Sequence, residues 1–193
     1  MGPRGKGVTA RELWEAKADE ITAEVAEHMR DVKVLLLGPG YPPGQLEIRK
    51  DAAERLRCIS CQIYMMEELP PLSSVDINIK FRDILNKINP DLIVCIFTEE
   101  GFPHAVIFEI GFMCGHFGIE RTLPRLKFCI HNKIEKIAVM PRYLDYLVAR
   151  AESYEFYDAV TDRTLYDRIR DIVKGEVLRL YCPGDTEESM TQP

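Results

Sequence analysis

The chain has 193 residues, 46% of them hydrophobic and 29% charged, which suits one globular domain with a substantial core. Its net charge of −6 argues against a general nucleic-acid binder, which needs a basic field. No apolar run approaches the ~20 residues of a membrane span and no signal-peptide pattern precedes the first strand, so a cytoplasmic protein without a membrane partner is expected.

Residues 1–8 read as disordered. Thr9 to Met29 reads as a helix, opened by a capping box of Thr9 and Glu12. Trp14, Ala18, Ile21 and Val25 form a heptad-like seam on it, either lying on the domain or joining two copies as a homo-oligomer. Val32 to Leu37 is a buried strand that runs into Gly38-Pro39-Gly40-Tyr41-Pro42-Pro43-Gly44. Glycines there let backbone approach a ligand, and prolines fix the path; no Walker A or G-x-G-x-x-G pattern is present. Gln45 to Arg57 is a charged amphipathic helix with Leu46, Ala53 and Leu56 as core contacts.

Gln62 to Met66 is the second strand, and Ile77 to Ile88 a helix stopped by Asn89-Pro90. Leu92 to Phe97 is an Ile/Val-rich strand buried on both faces. A helix follows, entered through Pro103. Leu126 to His131 is a fourth strand, Ile137 to Met140 a short segment before Pro141, and Tyr154 to Tyr157 an edge strand. A closing helix starts at Asp162 or Thr164 and runs to about Leu180. Alternating strands and helices predict a doubly wound, mostly parallel sheet. The divisions are an N-terminal extension and helix (1–30), one nucleotide-binding α/β domain (31–182) and a disordered tail (183–193).

Six cysteines are present; Cys95 and Cys129 lie in apolar strands, and Cys58 and Cys61 form a C-x-x-C that closes a helix rather than opening one. No second pair completes a zinc site, so no metal is expected.

Chemistry concentrates after the third strand. Glu109 sits one to two turns into its helix among Val106, Ile107, Phe108, Ile110 and Phe112. A carboxylate in such surroundings is costly to bury unless paired, and parallel sheets bind ligands beyond the carboxyl ends of their strands. Glu109 is therefore the candidate catalytic group, with an ion pair to Arg49, Arg55 or Arg82 as the purely structural alternative. Gly111 and Gly115 lie on one helix face, where close packing or room for a ligand would offset their cost.

The stretch FEIGF on a helix after a buried strand resembles the nucleoside 2-deoxyribosyltransferases, whose segment carries Glu in an F-E-x-G-Y/F context. That resemblance implies Glu109 as nucleophile on the anomeric carbon, the Gly38-Pro39 turn around sugar and base, and Asp83 as a further acidic position. The family's Asp-x-Gly-Thr is replaced here by Pro103-His104-Ala105-Val106. Val106 to Arg121, VIFEIGFMCGHFGIER, is similar to a segment of bacterial and archaeal TIR-like nucleotide-binding domains. This second resemblance spans roughly residues 32–180 and implies a flavodoxin-like fold with an added N-terminal helix. It also implies a Glu that supports cleavage of the nicotinamide–ribose bond of NAD.

Both families break an N-glycosidic bond beside a carboxylate. The expected ligand is a nucleotide or nucleoside, NAD included, as substrate rather than cofactor. It would lie between the Gly38–Gly44 loop and the Glu99–Glu109 segment. Expected substrate contacts are Gly38, Pro39, Gly40, Tyr41 and Asp83, with Glu99, Phe102, His104 and Phe112 from the second segment. His116 and His131 read as surface or satisfied core residues, and Arg121 as a solvated residue or a phosphate partner. The function expected is an NAD-type glycohydrolase; a nucleoside or nucleotide N-glycosidase or 2-deoxyribosyltransferase is the alternative, and a non-catalytic nucleotide-binding or assembly module a third.

Overall fold

Apolar runs of the sequence become strands, and the charged amphipathic runs between them become the covering helices. The computed structural model describes residues 22–59, 61–69, 77–100, 104–134, 153–157 and 164–181. In chain order these form α1 (22–28), β1 (Lys33–Leu37), α2 (Pro43–Cys58), β2 (Gln62–Met65), α3 (Ile77–Ile88) and β3 (Leu92–Phe97). Then come α4 (His104–Phe117), α5 (Ile119–Thr122), a 3-10 turn, β4 (Leu126–His131), β5 (Ser153–Tyr157) and α6 (Leu165–Tyr181). The predicted segment Ile137 to Met140 lies outside the described residues, as do Trp14, Ala18 and Ile21 of the N-terminal seam.

The five strands pair in the order β2-β1-β3-β4-β5, and every pair is parallel. This is the flavodoxin-like order, whose crevice opens between β1 and β3, where successive connections leave to opposite sides. Strands β3 and β4 are buried at every position, as runs covered on both faces must be. Alternation along β1 sends Val34 and Leu36 to one face and Leu35 and Leu37 to the other. The first face packs against Val25 and Met29 at the α1 end, Ala53 and Leu56 of α2, and Ile169 and Val173 of α6. The second packs against Phe81 and Leu85 of α3 and Val106, Ile110 and Met113 of α4. Val25, one residue of the predicted seam, is thus buried within its own domain.

Local contacts set where elements start and stop. At the amino edge of the sheet, the Lys33 amide donates to Asp91 Oδ2 at 2.9 Å, and the Asp91 amide donates to Lys33 O at 3.0 Å. These bonds lock the starts of β1 and β3 side by side. Gly118 breaks α4 from α5 at φ +88, a conformation that an L side chain rarely adopts. Thr164 starts α6: its amide donates to Asp167 Oδ2 at 3.2 Å, and the Asp167 amide donates back to Thr164 Oγ1 at 3.4 Å. Cys58 ends α2 at the surface, while Cys61 is buried and burial pushes its thiol up to about 11. A thiol raised in this way is the opposite of the activated thiolate that a redox motif requires. Among the described residues no helix is long and apolar enough to cross a membrane.

Phe128, at the centre of β4, is fully buried and stacks against Phe97 with ring centroids 6.0 Å apart. Phe128→Ala is expected to cost about 3–5 kcal/mol in urea unfolding, because the sheet cannot collapse into the space. A loss below about 1 kcal/mol would contradict this packing.

Candidate functional site

The sheet is parallel, so the exits of all five strands lie at one edge, and the polar side chains gather there. Helix α2 shows how. Gln45, Arg49, Ala52 and Leu56 fall at i, i+4, i+7 and i+11, one continuous buried stripe. Deep in the domain the stripe is apolar and meets the strands; nearer the exits it is Gln45 and Arg49. Arg49 is only 3% exposed. A Cβ added at Gly38 would stand 3.3 Å from both Arg49 Cδ and Ile96 Cβ, so the glycine gives the arginine its room. The guanidinium ion-pairs with Glu67, just beyond β2. Its Nε is buried without a hydrogen-bond partner.

Glu109 faces this cation from the other layer. It lies three residues after Val106 and four before Met113, both buried, so it shares their sheet-facing side. Helical side chains lean toward the helix N-terminus, here the carboxyl edge of the sheet. Burial raises the Glu109 carboxyl to about 7; the Arg49 charge opposes the rise and the Glu67 charge adds to it. Glu109 also adds to the burial that drives the Cys95 thiol of β3 well up. Glu67, not Glu109, makes the close ion pair with Arg49. Glu109 therefore has a cation within electrostatic reach and a proton it gives up near neutrality.

The other predicted contacts divide. Gly38 and Pro39 are buried at the β1 exit beside Arg49; Gly40 is open, and Tyr41, joined to Pro42 by a cis peptide, is 66% exposed. His104 is exposed in the first turn of α4, and Phe102 lies outside the described residues. Phe112 packs between Phe81 and His116, at centroid distances of 5.5 and 5.9 Å. Asp83 lies midway along α3, where its Oδ1 accepts from its neighbour Arg82 at 3.1 Å. Glu99 is held by Lys133 Nζ at 2.9 Å. Arg121 lines a cavity of about 220 Å³ with Asn89, Pro90 and Arg125, next to the starts of β3 and β4. That is the opposite edge of the sheet from Glu109, so Arg121 is no phosphate partner for a ligand there. A Cβ at Gly111 or Gly115 would meet nothing within 4 Å, so close packing does not explain these glycines.

A larger cavity, of about 550 Å³, opens on the α2 and α6 side of the same edge. Residues of α2 from Gln45 to Arg55 form one wall, and Thr164 to Tyr166 form another. Its floor is the exits of β3, β4 and β5, at Thr98, His131 and Tyr157. The Tyr157 hydroxyl donates to Phe97 O at 3.2 Å, and His131 meets the Tyr157 ring edge-on, with its Nδ1 accepting the Lys133 amide at 3.3 Å. His131 is thus buried with its Nδ1 satisfied, the core one of the two readings, surface or satisfied core, that the sequence left open. Among the described residues no cluster of His, Cys, Asp and Glu is arranged to hold a metal ion.

No family model matches this chain, and no curated protein matches its sequence.

The Glu109 shift fixes a pH dependence of stability. The unfolded carboxyl ionises near 4.5 and the folded one near 7, so between these values the fold retains a proton that the unfolded chain has released. Stability attributable to Glu109 is therefore highest at low pH and falls as pH rises through that window, by about 3 kcal/mol in full. Glu109→Gln escapes this loss: its stability relative to wild type should improve by about 2 kcal/mol between about pH 5 and about pH 8 in urea titrations. A difference independent of pH would contradict the assignment.

Proposed function

We propose that this chain is a nucleotide-binding domain that cleaves an N-glycosidic bond, of the NAD glycohydrolase type, with Glu109 as the carboxylate beside the ribose. The observation that carries the reading is a desolvated carboxyl near the exits of β1 and β3, raised to about 7 and facing the buried Arg49. This is where an open parallel sheet binds ligands, and a strongly perturbed carboxyl there marks a functional candidate.

The chemistry follows from charge. When the bond from ribose C1′ to the pyridinium nitrogen breaks, its electron pair leaves with nicotinamide, which becomes neutral. Positive charge develops on the ribose ring, as in glycoside hydrolysis. Ionised Glu109 stabilises that charge, or bonds to C1′ as an ester that water then opens. Water supplies the new C1′–O bond and releases one proton. A cationic substrate also favours ionisation of the carboxyl it approaches, so binding itself draws Glu109 into its active form.

The same titration supports a second reading, a nucleoside N-glycosidase or 2-deoxyribosyltransferase. A neutral base leaves only with a proton, and a carboxyl near 7 retains a protonated fraction that can supply it.

Incubation of the purified chain with NAD, and separately with deoxynucleosides, followed by chromatography, tests the proposal. Nicotinamide should appear with wild type and fall at least ~100-fold with Glu109→Gln. The kcat/KM should climb roughly tenfold per pH unit below neutrality and level off above about pH 7, because the ionised carboxyl is the working form. Base release from deoxynucleosides with the opposite limb, falling above about pH 7, would select the second reading. Absence of turnover on every substrate would overturn both.

A further inference from the structure

The cavity of about 220 Å³ lies at the edge of the sheet opposite Glu109, beside the starts of β3 and β4. An apolar cavity of about 150 Å³ already takes a benzene ring, so this one has room for a ring and a head group. Leu85, Ile93 and the half-buried Phe117 supply its apolar lining, and Arg121 and Arg125 supply two positive charges.

No negative charge answers those two. Among the described residues no carboxylate lines the cavity. Asp91, next in sequence to the lining Pro90, accepts the Lys33 amide at 2.9 Å. Helix ends nearby would otherwise present bare carbonyls, but these are already met. The Asn89 amide donates to Leu85 O at 2.8 Å, and the Thr122 hydroxyl donates to Gly118 O at 2.9 Å, with Met113 O 3.3 Å away.

The two arginines are left with charge to spare. Arg125 Nη1 donates to Asn89 Oδ1 at 3.2 Å and to Pro90 O at 3.3 Å, both neutral acceptors that leave its charge uncompensated. Arg121 is exposed, and among the described residues its guanidinium makes no hydrogen bond or ion pair, its neighbour Glu120 included. A guanidinium fork matches the two oxygens of a carboxylate.

We propose that this cavity binds a small organic anion, a carboxylate carried on an aryl or short alkyl body. The carboxylate would meet the Arg121 fork and the remaining N–H groups of Arg125, while the body lies against Phe117, Leu85 and Ile93. Positive charge without a facing carboxylate selects the anion, and the apolar lining selects its carbon body. This site does not depend on the glycosidase reading.

Titration of the full chain with benzoate, read by calorimetry and by NMR of methyl and aromatic groups, tests it. Saturable one-to-one binding is expected, with shifts at the Phe117 ring and at the Leu85 and Ile93 methyls. Arg121→Gln should weaken it roughly tenfold or more, since it removes a charged partner of the carboxylate. Arg121 is exposed, so that variant is expected to retain the wild-type melting temperature. Benzyl alcohol, which keeps the ring without the charge, and acetate, which keeps the charge without the ring, should each bind at least ~10-fold more weakly. Glu109→Gln should bind benzoate as wild type does. Absence of saturable binding, binding undiminished in folded Arg121→Gln, benzyl alcohol or acetate matching benzoate, shifts that spare Phe117, Leu85 and Ile93, or binding lost in Glu109→Gln would overturn the proposal.

Discussion

Arg49 is the cation around which the carboxyl edge of this domain is built. It is almost wholly buried, and a buried cation persists only where anions and hydrogen-bond acceptors compensate its lost hydration. Glu67 at the β2 exit supplies the close partner, and Glu109 on α4 supplies a second negative charge at longer range. Gly38 supplies space, because any side chain there would press on the arginine and on β3. Two helices on opposite faces of the sheet and two strand exits are thereby tied to one guanidinium.

The unequal sharing of that cation has a chemical consequence. Had Glu109 taken the close ion pair, its carboxyl would have been held ionised and well below neutrality. Glu67 takes the pair instead, and burial governs Glu109, which titrates at about 7. The domain thus keeps a carboxyl ready to gain or lose a proton at physiological pH, at a measurable expense in stability. A carboxyl perturbed by burial and by a specific charge partner marks a candidate functional site.

Much of the fold was legible because fully buried parallel strands require unbroken apolar runs, and Leu92 to Phe97 and Leu126 to His131 are such runs. Asn89-Pro90 marked a helix end, and Thr164, one of two starts read for the closing helix beside Asp162, which lies outside the described residues, makes the bonds that open it. Glu109 was legible as a carboxylate out of place in an apolar helix. Its neighbours were harder. Helix α2 carries Arg49, Arg55 and Arg57, and composition does not tell which one is buried. The phase does: Arg49 and Gln45 continue the stripe set by Ala52 and Leu56, a signal present in the sequence but masked by the expectation that arginine faces water. The larger cavity offered no comparable signal, since its walls come from α2, three strand exits and the start of α6 and meet only through the sheet.

The account stands on the protonation of one side chain. Carbon-13 NMR titration of the Glu109 carboxyl, assigned by comparison with Glu109→Gln, measures it directly. A midpoint near 7 is the predicted result, moving upward when Arg49→Met removes the opposing charge. A midpoint at the ordinary glutamate value near 4.5, unmoved by Arg49→Met, would contradict it and return Glu109 to the rank of a solvated surface carboxylate.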